Sequence, residues 1–164
     1  RVDHGSHIMI RDIRREEPCL SGEVVDLGCG YGPIGISLAT LNPLARFRLI
    51  DVNDRAMDLA RRNAMENGVE ERVLVGTAQT VLSGSADAVI TNPPIRAGKA
   101  VIYDLFRQAH EWLKPGGRLY VVIRKNQGAP SAAKELETIF GDCETVARQS
   151  GFHVLRCQKR AAAE

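Results

Sequence analysis

Residues 88–95, Ala-Val-Ile-Thr-Asn-Pro-Pro-Ile, end a β-like apolar run on an amide followed by two prolines and a branched apolar residue. Proline fixes φ and offers no N–H, so the Asn92 side chain and the Pro93 carbonyl are expected to be held rigidly as hydrogen-bond acceptors. A planar NH₂ is a poor nucleophile because its lone pair is delocalised. Two acceptors gripping its hydrogens would direct that lone pair at a methyl group and favour in-line transfer by positioning. No strong base is required before attack, because nitrogen becomes acidic as it bonds to carbon. Asn92, Pro93, Pro94 and Ile95 are therefore the candidate catalytic residues. The lesser alternative for Asn-Pro-Pro alone is a turn that merely stops a strand.

A second motif makes the chemical reading stronger. Val24-Val25-Asp26-Leu27-Gly28-Cys29-Gly30-Tyr31-Gly32-Pro33-Ile34-Gly35 passes from an apolar run through a tight loop into a helical pattern. Glycines let the backbone turn sharply and approach a ligand, and a helix start supplies N–H donors. The spacing Gly30-x-Gly32-x-x-Gly35, with Asp51 about 20 residues on, also meets the dinucleotide fingerprint. Asp26 tilts the choice: a carboxylate ahead of the glycines repels a pyrophosphate but pairs, directly or through water, with the ammonium of an amino-acid ligand. S-adenosylmethionine carries that ammonium and no phosphate. Asp51 serves either cofactor by accepting ribose hydroxyl hydrogens.

Both motifs must sit at strand ends, and the chain's rhythm supplies the strands. Short apolar runs at 23–27, 47–52, 72–75, 86–91 and 119–123 alternate with helical patterns, which predicts a parallel α/β sheet. Asn53 reads as an N-cap, with Asn67-Gly68 as that helix's stop. Lys114-Pro115-Gly116-Gly117 reads as the end of a helix holding Leu105, Phe106, Ala109 and Leu113. After a helix at 131–140, β-like runs at 144–149 and 152–158 are separated only by Ser150-Gly151, which predicts an antiparallel hairpin. An open parallel sheet closed by a reversed hairpin differs from the dehydrogenase version of the fold. Ligands on such sheets lie beyond the carboxyl ends of the strands.

The 164 residues suit one domain spanning 1–164, with 44% apolar and 26% charged residues in an ordinary globular balance. A net charge of +2 carries no polyelectrolyte signature, so a nucleic-acid partner has to be argued from local charge. Cys19, Cys29, Cys143 and Cys157 are scattered, with no C-x-x-C and no histidine at ligand spacing, so neither a metal site nor a disulfide framework is expected. A reduced cytoplasmic setting is the simpler expectation. No apolar run approaches the roughly 20 residues that cross a bilayer, and the start is not a signal peptide.

Together the two motifs resemble those of class I S-adenosylmethionine-dependent methyltransferases. The match narrows at residues 92–99, Asn-Pro-Pro-Ile-Arg-Ala-Gly-Lys, and 125–131, Lys-Asn-Gln-Gly-Ala-Pro-Ser. These strings resemble the short bacterial relatives of the ribosomal RNA small-subunit (guanine-N2)-methyltransferases. The resemblance covers nearly the whole chain and implies a Rossmann-like, seven-stranded, mostly parallel sheet with a C-terminal antiparallel hairpin. It implies S-adenosylmethionine as donor and a guanine exocyclic amine in 16S ribosomal RNA as acceptor, with ribosomal RNA or the small subunit as partner. Val2-Asp3-x-Gly5-Ser6 resembles the segment that enters the cofactor pocket before the first helix. Cofactor residues implied are Asp3, Gly5, Asp26, Gly28, Cys29, Gly30, Gly32, Asp51, Val52, Thr77, Ala78 and Asn92. Ala78 stands where relatives often have an acidic residue near the adenine amine, so backbone groups around 77–79 are expected to supply that contact. Relatives carry a further β-like segment upstream, so the chain is expected to lack a short native N-terminal piece.

For the substrate, Arg96, Lys99, Arg124 and Lys125 follow strand ends on the expected active face and suit phosphates. Arg156, Lys159 and Arg160 come at the end of the chain. Tyr31 and Ile95 are placed to pack against a base extruded into the pocket. Trp112 and Tyr120 read as core, and the four histidines share no motif. Two other activities fit the same pattern: methylation of a protein glutamine amide, although such enzymes usually have an aromatic at the position of Ile95, and a non-catalytic RNA-binding or assembly module. A dehydrogenase is a distant further alternative.

Overall fold

The computed structural model describes residues 3–161; Val2 of the N-terminal motif lies outside them. Seven strands form one sheet in the order β3-β2-β1-β4-β5-β7-β6. They are β1 Gly22–Leu27, β2 Ala45–Ile50, β3 Val73–Gly76, β4 Ala86–Thr91, β5 Leu113–Arg124, β6 Glu144–Gln149 and β7 Phe152–Gln158. Strands β1 to β5 run parallel, and β7 lies antiparallel to both β5 and β6. The expected reversed hairpin is therefore present, with Gln149 opposite Phe152 across the two-residue turn. Ser150 and Gly151 both have positive φ (52° and 79°), as the right-handed twist of a two-residue hairpin requires.

Five helices cover the sheet: α1 His4–Glu16, α2 Pro33–Leu41, α3 Asp54–Glu66, α4 Lys99–Trp112 and α5 Ala129–Phe140. Successive strand residues point to opposite faces, and each face is buried. Val24, Phe47, Leu49, Ala88, Ile90, Tyr120 and Val122 pack with Ile8, Met9 and Ile13 of α1, Ile34 and Leu38 of α2 and Ala60 and Ala64 of α3. Val25, Ile50, Val89, Leu119, Val121 and Ile123 pack with Ile102, Phe106 and Ala109 of α4 and Ala132, Leu136 and Phe140 of α5. Burial on both sides explains why the strands read as nearly continuous apolar runs.

Several boundaries differ from the sequence reading. β2 stops at Ile50, because the Asp51 side chain accepts from the Val52 and Asn53 N–H groups and turns the chain out of the sheet. β3 is shifted one residue, to Val73–Gly76. Leu113 is not helical: it opens β5, which is far longer than 119–123. Lys114-Pro115-Gly116-Gly117 forms a wide bulge in which Ala86 faces Leu113 and Ala88 faces Arg118. Gly116 and Gly117 then pair with Lys159 beyond β7, through Gly116 N to Lys159 O at 2.7 Å and Lys159 N to Gly117 O at 2.8 Å. Helix α5 begins at Ala129 instead of Ser131, with Pro130 tolerated in its first turn.

The strand order reverses between β1 and β4, so the loops leaving these two strands lie side by side at the carboxyl edge. Thr91 joins them, its Oγ1 donating to Leu27 O at 2.8 Å in the buried sheet edge.

Candidate active site

The glycine loop is shaped from beneath. Gly28 and Cys29 N–H both donate to Ile50 O (2.8 and 3.0 Å), and Gly30 N–H donates to Asp51 Oδ2 at 2.8 Å. Asp26 lies under the loop, 2% exposed, with Oδ2 accepting from Gly35 N at 3.0 Å. Burial raises its carboxyl from 3.8 to about 7 against the lowering effect of the Gly35 bond, and the Asp51 charge adds a further upward push. The Cys29 thiol is pushed up by burial and then by Asp26 and Asp51, so it stays protonated.

Gly28 and Gly30 have φ of 73° and 57°, and a Cβ on either would meet nothing within 4 Å. Their backbone thus faces open space, the property a ligand cradle needs. Gly32 differs: it is the N-cap of α2, and a Cβ there would meet Ile36 Cδ1 at 2.7 Å.

Beside the loop lies a cleft of about 390 Å³. Among the expected site residues, Gly28, Asp51, Val52, Ala78, Asn92 and Pro94 line it. Leu27 and Ile50 at the strand ends complete that side, and the opposite wall was missed in the sequence: Val101, Asp104, Leu105, Gln108 and Trp112 of α4. Their spacing of three, one, three and four residues is one face of a helix, a signal present in the sequence, of which only Leu105 was marked as helical and Trp112 as core. Thr77 lies just outside as the exposed N-cap of the single 3-10 turn Ala78–Thr80. The mixture of apolar wall and the Asp51 carboxylate fits an adenosine bearing ribose hydroxyls, and the open glycine backbone fits its amino-acid arm.

The N-terminal motif opens the first helix instead of lying wholly before it: Asp3 is the N-cap of α1, and Gly5 and Ser6 are in its first turn. Asp3 Oδ1 accepts from Ser6 N at 2.9 Å, and Ser6 Oγ donates to Asp3 Oδ2 at 3.3 Å. Asn92 Nδ2 donates to Asp3 Oδ1 and to Ser6 Oγ, both at 3.4 Å. A carboxylate only accepts, so this pair fixes which way the amide faces: nitrogen toward α1, Oδ1 away from it. Gly5 permits the approach, since a Cβ there would sit 3.3 Å from Asn92 Nδ2 and 3.1 Å from Phe152 Cε1. Ser6 is thus a site residue to which the sequence motif alone assigns no role.

Pro93 is buried and Pro94 exposed. The Pro94 and Ile95 carbonyls accept from Ala97 and Gly98 N–H (2.9 and 3.2 Å), closing the turn Ile95–Ala97 that leads into α4. Tyr31, half-buried, also lines a separate groove with α2 and α3 residues, and its backbone oxygen accepts from Asn63 Nδ2. Its phenol is raised by partial burial and then by the Asp3 carboxylate. Arg96 and Lys99 are exposed at the entry to α4, and Lys125 is exposed after β5. The late cations are engaged at home: Arg156 with Glu16 and Glu144, Lys159 Nζ with Leu113 O, and Arg160 with Gly141 O. They are spent in holding the fold together.

A sheet ordered 3-2-1-4-5-7-6, with a glycine loop after β1, a carboxylate after β2 and Asn-Pro-Pro after β4, defines a class I methyltransferase. The chain belongs to the methyltransferase small domain family, whose profile matches residues 1–156, and its cofactor is S-adenosylmethionine. It is 41% identical to the uncharacterized protein YbxB of Bacillus subtilis, over 96% of this chain and 79% of that protein. It is 30% identical to the ribosomal RNA large subunit methyltransferase G of Shewanella amazonensis, over 97% of this chain and 42% of that protein. In fold it is similar to the T. thermophilus 16S rRNA N2 G1207 methyltransferase solved with AdoMet and guanosine, with a TM-score of 0.85 at 22% identity over 98% of this chain. The chain spans under half the length of those two named RNA methyltransferases, 42% and 44%. Among the described residues, no helix is long and apolar enough to cross a membrane.

Proposed function

We propose that the chain methylates the exocyclic N2 amine of a guanine in small-subunit ribosomal RNA. The observation that carries the reading is the Asn92 amide, whose nitrogen is anchored by Asp3 and Ser6 so that Oδ1 is presented as an acceptor. S-adenosylmethionine supplies, when bound, an electrophilic methyl group. The protein's task is then to hold a weakly nucleophilic NH₂ in line with it. Asn92 Oδ1 accepts one amine hydrogen and the Pro93 carbonyl is the candidate for the other. Gly28, Gly30, Asp51, Val52 and Ala78 hold the cofactor, and Tyr31 and Ile95 flank the entering base. As the C–N bond forms, the C–S bond breaks and S-adenosylhomocysteine departs; the methylated nitrogen is then cationic and acidic, and one of its two original hydrogens is lost as a proton to water or a nearby acceptor.

An RNA acceptor is supported by the names of the T. thermophilus neighbour and the Shewanella relative, which act on different subunits. A substrate panel should therefore include both ribosomal RNAs. Incubation with labelled S-adenosylmethionine and unmodified RNA is expected to put N2-methylguanine in the small-subunit RNA, with transfer at least 10²-fold lower in Asn92→Ala. Label in protein but not RNA would replace this reading with glutamine-amide methylation. Failure to bind S-adenosylhomocysteine by calorimetry would leave only a non-catalytic module.

A further inference from the structure

The loop after β5 lies outside the methyl-transfer site, yet its side chains are arranged with care. β5 ends at Arg124, and the chain passes through the 3-10 turn Lys125–Gln127 into α5. The Arg124 guanidinium carbon lies over the Phe152 ring, 4.3 Å from its centroid, while Lys125 N–H donates to Gly151 O at 2.9 Å. Arg124 and Lys125, with Asn126, Pro130 and Gly151, line a cleft of about 400 Å³ containing two cations and no carboxylate.

Arg15, Arg46, Arg61, Arg107, Arg118 and Arg156 each pair with Glu or Asp. Among the described residues, neither Arg124 nor Lys125 has a carboxylate within ion-pair distance. On the neighbouring strand the His153 imidazole is pushed down by burial and then by Arg148 and Lys125. The first turn of α5 borders the cleft through Pro130 and has no side-chain cap.

A chain of side-chain packing links Arg124 to the catalytic loop. The Phe152 ring beneath Arg124 abuts Gly5, and Gly5 abuts the Asn92 amide. The geometry points to a phosphodiester subsite in which Arg124 and Lys125 hold the RNA backbone phosphate next to the nucleotide presented to Asn92. This deepens the RNA reading above and rests on it. A planar guanidinium fork matches phosphate oxygens, and its contact with Phe152 reduces the freedom it would lose on binding. Lys125, lining the same cleft, adds a point charge.

The test is RNA-oligonucleotide binding by fluorescence anisotropy over a range of KCl, with S-adenosylhomocysteine present, for wild type, Arg124→Gln/Lys125→Gln and Arg124→Lys. Each single-strand phosphate contact contributes about 0.7 to the slope of log K against log salt. The double variant is expected to lose about 0.7 of slope, the share of one phosphate, with S-adenosylhomocysteine affinity unchanged as the check on folding. Arg124→Lys should keep the slope but bind less tightly. Arg46→Gln, at the opposite sheet edge, serves as the control. An unchanged slope in the double variant, or the same loss in the control, would overturn the subsite while leaving RNA methylation standing. A wild-type protein that neither binds nor methylates RNA would overturn the RNA reading and this subsite together.

Discussion

At the scale of single residues, orientation and charge state carry the chemistry. The amide of Asn92 is useful only if it faces the right way, and Asp3 with Ser6 decides that at 3.4 Å each. Ser6→Ala is therefore expected to lower kcat roughly tenfold, the effect of one weakened hydrogen bond, with little change in cofactor affinity. An equal rise in KM for S-adenosylmethionine would show Ser6 to be a cofactor ligand instead. Asp26 offers a second test, with a pH signature. Its folded value of about 7 lies above its ordinary 3.8, so the folded state binds more protons between those limits. The contribution to stability is complete below about pH 4 and is lost as pH rises through 7, at most about 4 kcal/mol. Asp26→Asn keeps an acceptor for Gly35 N–H and removes the buried charge. It should melt higher than wild type at pH 8 and equally at pH 4, while binding S-adenosylhomocysteine more weakly if the carboxylate serves the ammonium. A melting difference independent of pH would contradict this account of Asp26.

At the scale of elements, what was readable depended on whether local pattern alone decided the structure. β4 ran from Ala86 to Thr91 as expected, because an uninterrupted apolar run ends on two prolines. The Asn53 cap was equally plain, with Oδ1 accepting from Ala56 N at 2.9 Å. β5 was not plain: Lys-Pro-Gly-Gly is a breaker by every local rule, and its place in the sheet depends on Lys159, more than forty residues away. The same holds for the site. The glycine and Asn-Pro-Pro loops were legible because each is contiguous, whereas the α4 wall and the bond from α1 to Asn92 exist only after folding. Gly5 is the hinge of that last contact. Ala there gains about 1 kcal/mol of helix propensity, but its Cβ would press on Phe152 at 3.1 Å and Asn92 at 3.3 Å. Gly5→Ala is expected to leave Tm within a few degrees of wild type and to cut turnover at least fivefold. Unimpaired turnover would mean that the approach of α1 does not matter to the amide.

At the scale of the whole molecule, the distant end of α1 governs the same contact. Glu17, just past the helix, accepts from Arg118 Nε and Nη2 (2.8 and 2.5 Å) and from the Tyr120 hydroxyl at 2.6 Å, while Arg156 bonds Glu16 at 2.7 Å. This cluster pins the helix to β5 and β7 about 16 Å from Ser6, at 1.5 Å of rise per residue. Arg118 and Glu17 side chains are 27% and 16% exposed, so removing Glu17 strands a largely desolvated cation and a buried phenol. Allowing for partial screening, Glu17→Ala is expected to cost about 2 to 3 kcal/mol. Because the cluster anchors one end of a helix whose other end sets the Asn92 amide, the loss should be felt first as local opening of α1. Amide exchange should quicken across residues 4–16 while β1 and β4 remain protected, and turnover should fall more steeply with temperature than in wild type. A uniform rise in exchange over the sheet would instead show that α1 and the sheet unfold only together, and the ion cluster would then bear on catalysis through global stability alone.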